Sequence, residues 1–364
     1  GTEVVFFLLD AQQPMVGPGL EAVDFTEFFD RFLGGLSYVL IGIRGAEPLL
    51  FPEPYEGGRL DIQKAMRLYG SSQMVEDIEW VRRDMVERKL LPSGQKIMLF
   101  GGSGGGVLVQ QYLGKYGDQV SRALIESTGA PDLAEQAGQP FLKPFSEVNP
   151  QAAGLLLKVQ EQWLDRLPAL AWMCDKMLRA YPDARDRQFR LIDQMSAGSW
   201  WSYFRYWIRP EYNWPLVKRI LSPPQMDAMR VRMFELMGND LIRYHQGGVP
   251  FTLTYEWAGG VLADIVRYHQ AAGDRAYRIS VSRNDYQGEM LIFSGRKDWV
   301  FTNEIARRIC GSYPKARLAI FDDGHRLLDE YYHDFRVAYF KNGLFSRPVM
   351  EAFNNPRQLE KMPR

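Results

Sequence analysis

Histidine is scarce in this sequence: His245, His269, His325 and His333 are the only four among 364 residues. Cysteine is scarcer still, with Cys174 and Cys310 alone. Neither has a cysteine or histidine neighbour at zinc-ligand spacing, so no metal site is expected, and both read as small buried hydrophobes. So few cysteines fit a reducing compartment and predict a cytoplasmic protein. Net charge is also missing: 44 basic residues balance 44 acidic ones. That leaves no electrostatic argument for nucleic acid or an anionic membrane as a partner. No apolar run approaches the roughly 18 residues that a membrane-spanning helix needs. Internal repeats and low-complexity tracts are lacking too. The first apolar run, Val4 to Leu9, has no basic stretch before it and reads as a strand rather than a signal peptide.

What is present is ample material for a core. Apolar residues make up 46% of the chain, and its length suits one large domain with an insertion, or two domains. Short continuous apolar runs alternate with helical periodicity over the first third. Val4 to Leu9 and Tyr38 to Ile43 read as buried strands. Met74, Ile78, Val81 and Met85 recur at helical spacing within 71–88, and Ile97 to Phe100 and Val120 to Glu126 read as strands again. This alternation predicts a parallel sheet covered on both faces. From about residue 131 to 287 the pattern is helical and rich in aromatics, densest from Trp200 to Trp207. Strand and helix return at Met290 to Gly295, 302–310, Arg317 to Phe321 and 327–341. Residues 346–364 are polar, contain three prolines, and read as a surface tail or a disordered one. The expected organisation is therefore a sheet domain in two parts, 1–130 and 288–345, a helical cap at 131–287, and a tail at 346–364.

The motif carrying chemistry is Gly101-Gly102-Ser103-Gly104-Gly105, placed between an apolar run and a helical pattern. Strand, Gly-x-Ser-x-Gly, helix is the nucleophile elbow of serine hydrolases. No lysine follows for a phosphate loop, and no acid is well placed for a dinucleotide fingerprint. A serine hydroxyl needs a histidine base, and that histidine needs a carboxylate to set its tautomer. His325 directly follows the strand Arg317 to Phe321, and Asp298 directly follows the strand Met290 to Gly295, in the order serine, acid, histidine expected of this elbow. Asp322 and Asp323 are alternative acids at an awkward reach. The elbow also aims the Gly104 N–H at the reaction centre. The chemistry asks for no cofactor and no metal.

Four stretches resemble the prolyl aminopeptidases of the α/β-hydrolase superfamily. Val16-Gly17-Pro18-Gly19 is similar to that family's His-Gly-Gly-Pro-Gly, and Ile43-Arg44-Gly45 to its Asp-Gln-Arg-Gly. Asp77-Ile78-Glu79-Trp80-Val81-Arg82 resembles its Asp-x-Glu-x-x-Arg helix, and Gly101 to Gly105 its serine elbow. The resemblance implies an α/β-hydrolase fold, a mostly parallel sheet flanked by helices, with a helical cap inserted before the penultimate strand. It implies Ser103 as nucleophile, Asp298 as acid and His325 as base, with the oxyanion held by N–H groups of Gly104 and of Val16 or Gly17. Cap acids of that family bind the substrate ammonium. By that likeness Glu256 is the candidate, with Tyr255, Trp257 and Trp201 as substrate-binding neighbours. The sequence departs from the family at Met15-Val16 in place of His-Gly, at Gly42 in place of aspartate, and at Gly104 in place of an aromatic residue.

The leading expectation is a serine aminopeptidase working through an acyl-enzyme on a short peptide or other small molecule, with a homo-oligomeric assembly left open. A carboxylesterase or lactonase with an apolar cap pocket is the alternative. A binding protein that keeps the fold without the chemistry is the third reading.

Overall fold

A computed structural model describes residues 3–10, 24–45, 52–180, 184–209, 212–214, 226–272, 279–327, 330–354 and 358–362. The chain divides into two compact units, Gly1–Gln139 with Arg278–Arg364, and Pro140–Tyr277.

The first unit opens with β1 (Val4–Phe7), α1 (Thr26–Leu33), β2 (Ser37–Leu40) and a small hairpin of β3 (Tyr55–Glu56) and β4 (Arg59–Leu60). Helices α2 (Ile62–Tyr69) and α3 (Ser71–Glu87) follow, then β5 (Ile97–Gly102), α4 (Gly104–Tyr116), β6 (Val120–Glu126) and α5 (Pro131–Gln136). The second unit is helical: α6 (Phe145–Val148), α7 (Pro150–Trp163), α8 (Leu167–Ala180), α9 (Ala184–Ser196), α10 (Trp200–Trp207), α11 (Asp227–His245), α12 (Leu253–Val261) and α13 (Ala263–Ala272). The first unit resumes with β7 (Glu289–Gly295), α14 (Asn303–Ser312), β8 (Ala316–Phe321), α15 (Glu330–Asn342), α16 (Arg347–Phe353) and β9 (Gln358–Met362).

Among the described residues a seven-stranded sheet runs β2-β1-β5-β6-β7-β8-β9, its pairings parallel except for that of antiparallel β9. Its strands are near-continuous apolar runs because both faces are covered. On one face, Phe7 stacks on Phe100 at 4.6 Å and meets Phe29 and Phe32 of α1 edge-on at 5.1 and 5.6 Å. Phe293 and Phe321 continue this layer against Phe335 of α15. Register aligns the strand ends: Gly102 pairs with Glu126, Glu126 with Phe293, and Gly295 with Phe321. The loops leaving β5, β6, β7 and β8 therefore emerge side by side at the carboxyl edge, where open parallel sheets build their sites.

Two residues of the family-like helix motif hold this framework together. Asp77 of α3 accepts from Arg44 Nε at 2.9 Å, and from a second guanidinium nitrogen. Glu79 of α3 is buried and accepts from Arg82, Arg83 and the Tyr112 hydroxyl of α4 at 2.7–2.8 Å.

The helical unit has its own interior. Trp172, Trp214 and Trp257 meet at ring distances of 5.0–6.2 Å, with the Lys176 ammonium 4.3 Å from the Trp172 ring. Buried Arg230 is held by Asp227, Asp264 and the Val261 carbonyl. Cys174 and Cys310 are both buried and form no disulfide, and burial pushes the Cys174 pKa up.

Three expectations change. The helical unit spans Pro140–Tyr277 rather than 131–287. Its flanks stay with the sheet unit because Arg283 forks Asp132 at 2.7 and 2.8 Å and reaches Gln110. The segment expected as a tail supplies α16 and edge strand β9. With β9 added, the helical insertion precedes the third strand from the end. Among the described residues no helix is long and apolar enough to cross a membrane.

Burial raises the Glu79 carboxyl pKa, but the bonds from Arg82, Arg83 and Tyr112 outweigh it and hold the group below its ordinary value. A carboxylate depressed in this way stabilises the fold above its unfolded pKa, and the contribution is lost as pH falls through the folded value. Glu79→Gln is expected to cost about 1.5–3 kcal/mol at neutral pH, as for hydrogen bonds to a charged group. Urea unfolding should show the deficit shrinking in acid. A deficit that is absent at neutral pH, or unchanged by acid, would contradict the clamp.

Candidate active site

Three loops at the carboxyl edge of the sheet meet in one place. The first is the turn between β5 and α4. Ser103 has φ 52° and ψ −123°, sparsely populated for a residue with a side chain. Three hydrogen bonds fix it: its N–H donates to the Glu126 carbonyl at 2.9 Å, and its own carbonyl accepts from the Thr128 hydroxyl at 2.6 Å and the Gly106 N–H at 3.0 Å. The strand and helix pack so closely that a Cβ at Gly101 would lie 2.4 Å from the Gly105 carbonyl oxygen.

Gly104 follows the serine and opens α4, in the helical turn whose N–H groups lack intrahelical acceptors. A side chain here is excluded by Asp10, which leaves β1 and is fully buried. A Cβ on Gly104 would lie 2.1 Å from Asp10 Oδ2. The glycine standing where the resembling family carries an aromatic residue thus has a local cause. A carboxyl group occupies that space.

The second loop follows β7. Asp298 is 1% exposed, and its Oδ1 accepts from the Val300 and Phe301 N–H groups at 2.7 and 3.2 Å. Those bonds aim the carboxylate at the third loop, after β8, where His325 Nδ1 lies 2.9 and 3.0 Å from Oδ2 and Oδ1. On the other side of the ring, Nε2 is 3.2 Å from Ser103 Oγ. Trp299 and Phe301 flank the imidazole at 5.4 and 5.9 Å. The two loops interlock: Arg296 N–H donates to Phe321 O and Lys297 N–H to Asp323 O, at 2.7 and 2.8 Å. The alternative acids are engaged elsewhere. Asp322 binds Arg296 and Lys297, and Asp323 takes the Tyr332 hydroxyl and the Gly324 N–H.

Hydroxyl, imidazole and carboxylate thus form a hydrogen-bonded chain. With Nδ1–H donating its hydrogen bond to Asp298, Nε2 is left to accept the Ser103 proton, the tautomer that general-base activation of a hydroxyl requires. Among the described residues no group of three or more histidine, cysteine or acidic side chains is arranged to hold a metal ion.

The other expected site residues fall into three groups. Val16 and Gly17 lie outside the described residues. Tyr255 and Trp257 are buried in the interior of the helical unit. The Tyr255 hydroxyl donates to Asp240 at 2.6 Å and accepts the Leu142 N–H, and Trp257 packs on Trp172. Their surroundings are those of packing residues. Trp201 is 68% exposed on α10, against Trp200 and Phe204. Glu256 is half-buried and accepts from the Tyr244 hydroxyl, and burial raises its pKa. Two buried acids flank the nucleophile turn, Asp10 beside Gly104 and Glu126 at the Ser103 N–H. Glu126 is the last residue of β6 and Asp10 follows the apolar run that contains β1, positions at which a buried acid is unusual.

The alpha/beta hydrolase fold family matches the chain over residues 58–331, and the chain belongs to that family. Similar solved structures include an esterase from Exiguobacterium antarcticum, 17% identical, covering 93% of this chain and 92% of its own, with a TM-score of 0.41. Another is the 2-hydroxy-6-oxo-6-phenylhexa-2,4-dienoate hydrolase of Rhodococcus sp. strain RHA1, 15% identical, covering 97% and 91%, with a TM-score of 0.39. No curated protein sequence matches the chain.

The Asp10–Gly104 contact predicts coupling. In a double-mutant cycle of Asp10→Ala and Gly104→Ala, the two unfolding free-energy changes should depart from additivity by about 0.5–3 kcal/mol, with the double variant recovering stability lost by Gly104→Ala. Additive changes would place the Asp10 carboxyl away from Gly104.

Proposed function

We propose that the protein is a serine hydrolase acting on carboxylic esters or lactones through an acyl-enzyme. The observation that carries this is the unbroken chain from Ser103 Oγ through His325 to buried Asp298. Ser103 attacks the substrate carbonyl while His325 Nε2 takes its proton, and Asp298 stabilises the imidazolium. The Gly104 N–H stabilises the oxyanion at the head of α4. His325 returns its proton to the leaving alkoxide, which departs as an alcohol or, in a lactone, stays on the opened acyl chain as a hydroxyl. It then activates a water that cleaves the acyl-enzyme and regenerates Ser103.

The choice of ester over peptide rests on Glu256. An aminopeptidase of the resembling kind uses an ionised acid to pair with the substrate ammonium. The Glu256 carboxyl instead accepts the Tyr244 hydroxyl, and burial, outweighing that bond, raises its pKa above the ordinary value. The aminopeptidase remains the second reading, supported by the likeness of the elbow and helix motifs.

Labelling with a fluorophosphonate probe should occur in the wild type and vanish in Ser103→Ala, with folding unchanged. Labelling that persists in Ser103→Ala would remove the proposal. Asp298→Asn should lower ester turnover by about 10⁴-fold, the scale of a wrong tautomer. A loss of less than about tenfold would take the carboxylate out of the mechanism. Across a panel of short-chain 4-nitrophenyl esters and aminoacyl arylamides, esters should be turned over faster. Faster arylamide cleavage, lost selectively in Glu256→Gln for substrates with a free amine, would establish the aminopeptidase instead.

A further inference from the structure

We propose that the buried pair Glu126–Arg336 is a positioning device that ties the nucleophile turn to the loop carrying the base. This rests on the serine-hydrolase reading of Ser103 and His325.

Glu126 ends β6, between the strands that deliver Ser103 and Asp298. Both ends of this residue are engaged. Its backbone carbonyl accepts the Ser103 N–H at 2.9 Å, one of the bonds fixing the strained turn. Its carboxylate is forked by the guanidinium of Arg336, through Nε and, at 2.8 Å, through Nη2. Arg336 lies on α15, 1% exposed, with Phe32 beneath it at 4.3 Å and the His333 ring nitrogen 3.1 Å from Nη1. Nη2 also donates to the Leu327 carbonyl at 2.6 Å, two residues beyond His325. A continuous path of hydrogen bonds therefore runs from the Ser103 amide through Glu126 and Arg336 to the backbone of the histidine loop.

Stability alone does not explain the pair. Two well-packed apolar residues usually hold a buried site as well as an ion pair does, because desolvation consumes most of the Coulombic gain. Apolar residues cannot hold the Leu327 carbonyl. A planar guanidinium can fork a carboxylate and reach a third oxygen, and a lysine ammonium lacks that geometry. What the pair adds is a fixed distance between two loops whose side chains must meet at hydrogen-bond range. Proton transfer is sensitive to such distances, and a 1 Å displacement costs on the order of 100-fold.

The test compares wild type with the paired replacement Glu126→Leu/Arg336→Met, which removes both charges together and leaves neither one buried alone. The readouts are the fluorophosphonate labelling rate of Ser103, the melting temperature, and the low-field proton resonance of the His325–Asp298 hydrogen bond. Labelling of the wild type is the control: if it fails, the serine-hydrolase reading falls before this one is reached. With a labelled wild type, the folded double variant should label about 10- to 100-fold more slowly and show a shifted or broadened imidazole resonance. A folded double variant that labels at the wild-type rate with an unchanged resonance would reduce the pair to a packing feature. Should that variant not fold, Arg336→Lys decides. It keeps a charge opposite Glu126 but loses the fork, so slowed labelling supports the device and wild-type labelling overturns it.

Discussion

The backbone at Ser103 is the constraint on which the site depends. A side-chain-bearing residue at φ 52° and ψ −123° stores strain of order 1–3 kcal/mol and persists only where its surroundings over-determine it. Here they do. Glu126 holds the amide, Thr128 and Gly106 hold the carbonyl, and the glycines at 101 and 104 remove the atoms that would collide. The strained turn lifts Oγ off the end of the sheet and brings it within 3.2 Å of the imidazole. A relaxed strand-to-helix connection would leave the hydroxyl in the packing between β5 and α4.

The rest of the constellation follows from sheet register. Parallel pairing of β5, β6, β7 and β8 sets their ends side by side, so residues far apart in sequence emerge within hydrogen-bond reach. Each loop then needs only local fixing: two backbone N–H groups aim Asp298, and main-chain bonds from Arg296 and Lys297 close the histidine loop on its neighbour. The buried acids after β1 and at the end of β6 are the unusual feature of this edge. Asp10 shapes the space over Gly104, and Glu126 is neutralised by Arg336.

Much of this was legible in the sequence, for physical reasons that can be named. Buried parallel strands must be short apolar runs, and the residues that meet in the site each follow such a run directly. Ser103, Asp298 and His325 could therefore be picked out, and only four histidines competed. Other features left no local trace. Strands β3 and β4 are two residues each, too short for periodicity to register. Strand β9 is an edge strand, Gln358–Met362, whose polar composition read as a tail. The boundary of the helical unit depends on Arg283 reaching Asp132 across 151 positions, and the Glu126–Arg336 pair spans 210. Tyr255 and Trp257 looked like pocket residues because aromatic density is the same for a binding surface and a helical core. Only their neighbours separate the two.

The central claim is that the Ser103 oxygen carries the acyl group between attack and hydrolysis. Rapid acid quenching of the enzyme during turnover of a short-chain 4-nitrophenyl ester, followed by peptide mass spectrometry, tests it directly. The account predicts the acyl mass on the peptide containing Ser103, and none when His325 is replaced by alanine. Turnover with the acyl group on another residue, or undiminished turnover in the His325 variant, would contradict it.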